Sequence, residues 1–526
     1  MNVYLYIMNF KSKKRLIWFI AIVVLLFIAV FTINFSLKKK LETKLKYFSE
    51  TVQIHYKDIV LNALTGNLEL IEPQIKIYGK TTDSINLKVN LQTLTIDGFS
   101  YWTYLTDDKI KVDKILFKEP QITYYHNNLV KHKTYKETLA TGFKHAIEIE
   151  SVQMINGKLE VNQTSNSALL LQTNALHFKI EDVLIASGTT KPHISYKNYS
   201  AKSSDLFFKI SALESLTLKT FDINSEVAKF TDLKLHTKLS KQALSKYLKT
   251  ERDHYNLDID SIFIARPSFG LKQDSLFYFN SPHTIVHHAD FEIYRDKLLP
   301  DDTSYKPLYS KMLRNLGFNL AIDTLQIKNT AIKYTEKVKA NTEGGTLLFS
   351  ELNADLTCFG NIYNDKTLIA IDAVFMNNTP LRVQWNFNVN NQNDAFIFKS
   401  EMGRFHAKDL NQYMSSNLNV KLEGEVEKLY FTIEGNDNTS HIDAKLEYED
   451  FDVVILKKNG KEKNKLLSTV LNLFIAKNSK DKAKIFNYGT KNHLERDRSK
   501  SIFNFVWINL KGALMEAIMG SGNKED

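Results

Sequence analysis

An uninterrupted apolar run near the start of the chain limits what this protein can become: LIWFIAIVVLLFIAVFTINF, from Leu16 to Phe35. The run contains no charged residue, and only Thr32 and Asn34 are polar. A helix rises about 1.5 Å per residue, so a run of this length crosses a hydrocarbon core of about 30 Å. We therefore predict a transmembrane helix over residues 16–36, preceded by a leader over residues 1–15.

The helix is expected to be retained rather than cleaved. A signal peptide has a shorter apolar stretch and a small-residue exit, whereas this run continues directly into Lys38, Lys39 and Lys40. Basic residues flank both ends, so charge alone does not set the orientation, and the short leader favours a cytoplasmic N-terminus. Translation from Met1 or from Met8 fits this arrangement, and the second start gives the more usual basic leader.

The rest of the chain has the composition of a folded, strand-rich protein. Of 526 residues, 43% are hydrophobic and 24% are charged, which argues against extended disorder. Only 8 prolines and 19 glycines interrupt a chain rich in β-branched and aromatic residues. The length exceeds that of a usual single domain, so we expect several domains or a repetitive architecture. The single cysteine, Cys358, excludes an intramolecular disulfide and leaves the redox compartment open.

One pattern recurs along the chain and indicates how the strands are organised. It reads IKVDKILFKEPQI from Ile110, IEIESVQMINGKL from Ile147, LDIDSIFIARPSF from Leu257 and LAIDTLQIKNTAI from Leu320. Apolar residues step by two within each copy, as in a strand, and the step changes at one acidic residue per copy: Asp113, Glu150, Asp260 and Asp323. We predict a bulge or twist at each acid, not a catalytic carboxylate. Turn-forming residues follow at 119–120, 156–157 and 266–267.

These features predict a mainly β fold. Behind the N-terminal transmembrane helix we expect an extended, twisted, repetitive antiparallel β-sheet curled into a hydrophobic groove, with few short helices. The β-groove body is assigned to residues 41–464 and a C-terminal segment with amphipathic helices to residues 465–526. Helices are expected at 241–255, 305–316, 465–476 and 501–519.

The helix at 501–519 has a broad apolar stripe, formed by Ile502, Phe505, Val506, Leu510, Ala513, Leu514, Ala517 and Ile518. Lys511 and Glu516 argue against a second membrane span, because charge near the bilayer centre is costly. Two interpretations remain open. The helix plugs the open end of the groove, or it lies on a membrane, with Arg496, Arg498, Phe505 and Trp507 as membrane-contact candidates.

Taken in order, these segments resemble the AsmA-like envelope proteins. The resemblance is carried by the N-terminal anchor, DIVLNALTGNLELIEPQIKI from Asp58, the repeated units, AIKYTEKVKANTEGGTLLFSELNADL from Ala331 and the tail ERDRSKSIFNFVWINLKGAL from Glu495. It implies a single-pass inner-membrane protein with a periplasmic body, a chorein-like β-groove, and a role in glycerophospholipid transport and outer-membrane biogenesis.

A lipid carrier needs a continuous dry surface, because water rejects acyl chains at about 0.8 kcal/mol per CH₂. The apolar positions of the four repeats supply the lipid-groove candidates Ile115, Phe117, Val152, Met154, Ile262, Ile264, Leu325 and Ile327. The expected partners are the membrane, phospholipid and envelope proteins. The alternative function is a structural or interaction protein of the envelope that binds proteins through its sheet edges without transferring lipid.

Enzymatic chemistry is not expected, and we assign no catalytic, cofactor-binding or metal-binding residues. No nucleophile elbow, phosphate-binding loop or cysteine-rich zinc pattern occurs. His283, His287 and His288 are close in sequence, but strand alternation puts His288 on the face opposite the other two. The net charge of +10 comes from dispersed lysines, which gives little support for nucleic-acid binding and leaves attraction to anionic lipid as a minority interpretation.

Overall fold

The computed structural model describes residues 10–46, 51–79, 84–107, 109–127, 145–186, 194–272, 276–376, 378–457, 477–479 and 485–519. Within these ranges it contains 26 strands and only a few helices, so the predicted mainly β class is confirmed. The chain divides into two compact units, each described separately below. The N-terminal unit comprises residues 1–208 and 222–224, and the C-terminal unit comprises residues 209–221 and 225–526.

The N-terminal unit begins with helix α1, Phe10–Lys46, which contains the predicted span and continues beyond it. Residues 19–46 of this helix are long and apolar enough to cross a membrane. One short helix, α2, covers Tyr101–Thr106. The strands of this unit are β1 Val52–His55, β2 Asp58–Asn62, β3 Asn67–Ile71, β4 Gln74–Tyr78, β5 Ile85–Asn90, β6 Thr93–Asp97, β7 Ile110–Lys118, β8 Gln121–His126, β9 Ile147–Gln163, β10 Leu169–Ile185, β11 Ile194–Ser195 and β12 Asn198–Lys209; the last residue of β12, Lys209, belongs to the C-terminal unit.

The C-terminal unit holds the remaining strands. These are β13 Glu214–Asn224, β14 Val227–Thr237, β15 Asp253–Ala265, β16 Ser268–Leu271, β17 Phe277–Asp296, β18 Asn319–Lys337, β19 Gly345–Gly360, β20 Thr367–Phe375, β21 Thr379–Phe387, β22 Phe396–Met402, β23 Phe405–His406, β24 Val420–Gly435, β25 Thr439–Ile455 and β26 Asn487–Glu495; the last residues of β13 belong to the N-terminal unit. The helices are α3 Lys241–Tyr247, α4 Tyr309–Arg314, a 3₁₀ turn at Ala407–Leu410, α5 Asn411–Leu418 and α6 Ile502–Ile518.

Helix prediction succeeded best at the C-terminus. Helix α6 lies within the predicted 501–519, and the Ser501 side chain caps it by accepting from Asn504 N. Helices α3 and α4 are shorter than the predicted 241–255 and 305–316. Strand β15 already begins at Asp253, and the chain before Tyr309 is not helical. The helix predicted at 465–476 and the boundary predicted at 464 lie outside the described residues.

Strand pairing is antiparallel at most positions, as predicted, with three exceptions. Strands β7 and β8 both pair parallel with β9, and β17 pairs parallel with β18. Parallel neighbours need a long crossover, and residues 297–318, which include α4, provide it between β17 and β18. Local alternation cannot distinguish the two pairings, so these three pairs depart from the predicted antiparallel arrangement.

The backbone is irregular at the turn-forming breaks in the repeats. Glu72, Glu119 and Asn156 adopt positive φ, and the residues that follow Glu72 and Glu119, Pro73 and Pro120, are fully buried. Each break divides a strand into two halves that pair separately: β3 from β4, β7 from β8, and the two halves of β9. The N-terminal unit is therefore a sheet whose strands are interrupted at a common level.

A second backbone irregularity occurs at the four repeat acids. All four side chains are exposed, and the residue opposite each acid has left-handed backbone: Gly98, Asp182, Cys358, and both Asp232 and His288 around Asp260. The register is the same before and after each acid, so the irregularity is a local twist and not an inserted residue. This agrees with a structural role for the acids.

Candidate functional site

Apolar side chains of the N-terminal unit line up across its strands in two adjacent rows. Directly opposed residues on paired strands point to the same face of a sheet, so the register defines each row. The first row runs through Leu61, Leu68, Ile96, Ile115, Val152, Ile180 and Tyr199. The second runs through Ile59, Leu70, Leu94, Phe117, Met154, Phe178 and Ala201. We call these the apolar rows of the N-terminal unit.

Four of the predicted lipid-groove residues come together in these rows. Ile115 opposes Val152, and Phe117 opposes Met154, so the four side chains form a block on one face. All four are half-buried, as are their neighbours in the rows except at β2 and β3, where Ile59 and Leu70 are buried. Half-buried apolar side chains in such continuous rows offer a surface on which an apolar ligand can lie.

A second pair of rows occurs on the strand halves beyond the breaks and was not predicted. It comprises Ile54, Ile75, Val89, Ile122 and Leu159 in one row, and Val52, Ile77, Leu87, Tyr124, Val161, Leu171 and Phe208 in the other. Sequence reasoning identified alternation from Ile85 onward, but it could not assign partners to these short strands. The pairing becomes visible only once the register is known.

The C-terminal unit contains the other four predicted lipid-groove residues in two rows of its own. One row runs through Ala228, Ile264, Thr284, Leu325, Leu356, Ile369, Trp385, Phe398, Ile433 and Ile442. The other runs through Phe230, Ile262, Val286, Ile327, Ala354, Ile371, Val383, Ser400, Phe431 and Ala444. Ile262, Ile264, Leu325 and Ile327 are half-buried, whereas the later positions from β21 onward lie in a closed core.

Helix α6 covers the buried end of these rows. It packs on β24, β25 and β26, and Phe505 inserts into the core, where its ring centroid lies 6.4 Å from that of Phe396. The buried Asn509 accepts a hydrogen bond from Ser440 Oγ at 2.8 Å. The predicted apolar stripe is thus packed against the sheet, and Phe505, proposed from sequence as a membrane contact, is a core residue. Trp507 is half-buried.

The basic residues preceding α6 are paired with acids. Arg496 is buried and bonded to Asp437, which also accepts a hydrogen bond from Tyr305 Oη at 2.9 Å. Arg498 lies 3.8 Å from the same carboxylate with its side chain half exposed. The predicted role of Arg496 as a membrane contact is therefore incorrect for this fold, since its guanidinium is shielded from the surface. Arg498 remains accessible.

Lys500 belongs to a second ion-pair cluster in the same region. Its ammonium lies 3.1 Å from the buried Glu251 and 3.0 Å from Asp301, and Lys297 lies 2.7 Å from Glu251. Burial alone would lower the pKa of Lys500, but the hydrogen bonds to Asp301 and Glu251 outweigh it and raise the pKa. The basic segment thus serves mainly to tie α6 to the loop that follows β17.

Two of the three neighbouring histidines bind different partners. His283 Nε2 lies 3.0 Å from Gln326 Oε1, whereas His288 Nδ1 lies 2.6 Å from Asp260 Oδ2. The hydrogen bond to Asp260 raises the pKa of His288. Across the part of the chain that the structure describes, no group of three or more His, Cys, Asp or Glu side chains is placed to hold a metal ion.

Together, the fold and its apolar rows define a mainly β protein with an N-terminal helix suited to crossing a membrane. Neither a protein-family model nor a curated protein matches the chain.

Proposed function

We propose that this protein is a membrane-anchored, non-enzymatic carrier whose apolar rows bind the acyl chains of phospholipids. The observation that supports this proposal most directly is the pair of apolar rows through seven strands of the N-terminal unit, where the side chains are mostly half-buried. In the C-terminal unit, by contrast, the rows end in a core closed by α6. The same alternating strand pattern thus forms a half-buried apolar surface in the N-terminal unit and a closed core in the C-terminal unit.

The dimensions of the rows suit an acyl chain. Neighbouring strands lie about 4.8 Å apart, so a row across seven strands extends over roughly 29 Å. One leaflet contributes about 15 Å to the hydrocarbon core of a bilayer. A row therefore offers enough length for one acyl chain, and two parallel rows match the two chains of a glycerophospholipid. Each buried CH₂ would contribute about 0.8 kcal/mol to binding.

The resemblance to AsmA-like envelope proteins supports a specific setting for this activity. In that setting α1 spans the inner membrane with a cytoplasmic N-terminus, and the body faces the periplasm. The lipid would be a glycerophospholipid supplied to the outer membrane during its biogenesis. A topology reporter fused after Asp526 should then read as periplasmic, and a cytosolic signal would contradict this placement.

Photocrosslinking in cells tests lipid contact directly. A photoreactive amino acid replaces Phe117 or Met154 in the full-length protein, and Leu116 or Gln153 serves as the matched control one position away on the opposite face. We expect phospholipid adducts, detected by mass spectrometry, at 117 and 154 but not at 116 and 153. Protein adducts at 117 and 154 would instead favour the alternative function of an envelope interaction protein.

A further inference from the structure

The C-terminal end of the apolar span contacts the sheet of the N-terminal unit. Asn34, the second-last residue of the apolar run, accepts a hydrogen bond from Ala63 N at 2.6 Å. One turn further along α1, Lys38 forms an ion pair with Asp58 at 2.8 Å. The turn between β2 and β3 therefore lies beside the residues at which α1 would leave the hydrocarbon core.

Large apolar side chains are exposed at this same place. Leu64, in the turn, is 73% exposed, and Trp102 and Leu105 on α2 are 76% and 77% exposed. Tyr101 and Tyr104, also on α2, are exposed as well. We call these five residues the aromatic patch. Such a concentration of exposed apolar area on one small surface is unfavourable in water and indicates an apolar or interfacial partner.

The two parts of the patch are joined by backbone contacts. Phe99 N donates to Gly66 O at 3.0 Å, and Gly66 has a φ of +70°. A Cβ on Gly66 would lie only 2.4 Å from the Phe99 carbonyl oxygen, so the close approach requires glycine. The Phe99 ring also meets the Tyr101 ring edge-on, with centroids 5.0 Å apart. The turn that carries Leu64 and the start of α2 are therefore neighbours in the fold.

We propose that the aromatic patch inserts into the interfacial region of the phospholipid bilayer on the side where α1 emerges. The occupant is a lipid surface because the patch is continuous with the end of the span through the Asn34 contact. Trp and Tyr are the side chains that favour the headgroup level of a membrane. Exposed Lys39 and Lys40, just past the span, add attraction to anionic headgroups.

This contact gives the membrane anchor a second role. A single helix leaves the body free to rotate about the helix axis, whereas the patch adds a second point of attachment and fixes how the N-terminal unit faces the bilayer. The turn between β2 and β3 follows the pair Leu61 and Leu68 of the first apolar row, so this half-buried end of the row would lie near the lipid surface. The inference rests on α1 crossing the membrane and does not require lipid transfer.

Tryptophan quenching in the full-length protein tests the contact. The four tryptophans are Trp18, Trp102, Trp385 and Trp507. The test variant W18F/W507F keeps Trp102 and the buried Trp385, and the control W18F/W102F/W507F keeps Trp385 alone. In nanodiscs of brominated phosphatidylcholine, we expect lipid-dependent quenching in the test variant and none in the control. Equal behaviour of the two would overturn the proposal.

Two further variants make the result specific. In the W18F/W507F background, Leu64→Asp with Leu105→Asp should reduce the quenching of Trp102 by about half or more, because charge is expelled from the interface. Leu271→Asp with Leu298→Asp, also at exposed leucines, should leave it unchanged. Trp102 emission that is blue-shifted but unquenched would mean a protein covers the patch, and would also overturn the proposal.

A separate variant distinguishes failure of the patch from failure of the anchor. W102F/W507F keeps Trp18, which lies within the apolar span. Quenched Trp18 together with unquenched Trp102 would leave the anchor intact and refute the patch alone. Unquenched Trp18 would refute the span on which the inference depends.

Discussion

Burial of Arg496 determines how strongly its ion pair with Asp437 affects stability. Removing one partner of a buried, hydrogen-bonded ion pair leaves the other charge uncompensated, at a cost of about 3–5 kcal/mol. We predict that Arg496→Met lowers the free energy of unfolding by an amount in this range, measured by denaturant unfolding. Arg498→Met is the matched control, because it faces the same Asp437 from a half-exposed position and should cost under about 1 kcal/mol. Equal losses would contradict the pairing.

His254 should make stability depend on pH. Its ring is buried on β15 with Nε2 3.0 Å from Leu239 O, and burial lowers its pKa despite opposing effects of that carbonyl and Glu292. The unfolded chain therefore binds a proton at a pH where the folded chain does not. The free energy of unfolding should fall as the pH drops below about 6.5 toward the lower folded value.

Denaturant unfolding of the parent and of His254→Phe at about pH 7.5 and about pH 5.5 measures this effect. The variant should lose less stability on acidification than the parent. His288 has the opposite sign, because the Asp260 hydrogen bond raises its pKa, so its contribution is present at low pH and lost as the pH rises through the raised value. An identical pH response in His254→Phe would exclude His254 as the source.

At the level of elements, α6 depends on how closely it approaches β26. A Cβ on Gly489 of β26 would lie 1.9 Å from the Ala513 carbonyl oxygen, so Gly489→Ala must displace the helix. We predict a loss of about 1–3 kcal/mol in the free energy of unfolding. Gly512→Ala, on α6 itself, would place a Cβ 3.3 Å from Lys491 Cγ, part of a flexible side chain that can shift, and should be neutral or stabilising, because alanine favours the helix over glycine. Similar effects of both changes would argue against this packing.

Phenylalanines at two positions of α6 offer a second comparison. Phe505 is 2% exposed and Phe503 is 60% exposed. Phe505→Ala should lower the free energy of unfolding by about 3–5 kcal/mol, whereas Phe503→Ala should change it little. Chemical denaturation followed by circular dichroism measures both. A large loss from Phe503→Ala would show that the outer face of α6 is also covered.

At the level of the whole molecule, the carrier function predicts that charge in the apolar rows blocks lipid binding. Phe117→Asp should abolish the phospholipid adduct formed by a photoreactive residue at 154, because a carboxylate opposite that position excludes an acyl chain. Ile264→Asp is the corresponding change in an apolar row of the C-terminal unit. Lys118→Asp, at an exposed position, is the control. Circular dichroism must show that each variant is folded, and full adduct formation in folded Phe117→Asp would refute the assignment.

Local sequence patterns predicted the helices, strands and breaks that depend on residues close together in the chain. The apolar run predicted α1, alternation predicted the strands, and the apolar stripe of residues 501–519 predicted α6 and its buried face. The breaks at Glu119 and Asn156 also appeared, because turn residues mark positions where the backbone can take positive φ. In each case the chemistry of nearby residues in the chain is sufficient to predict the local structure.

Tertiary structure alone decided which surfaces are open and which are closed. Phe117 and Phe398 occupy the same kind of alternating position, yet one is half-buried in a row and the other lies in the core beneath α6. Arg496 and Arg498 are two residues apart, yet only Arg496 meets Asp437 in a buried position. Burial, parallel pairing and ion pairing join residues far apart in the chain, so they depend on a register that alternation along one strand does not contain.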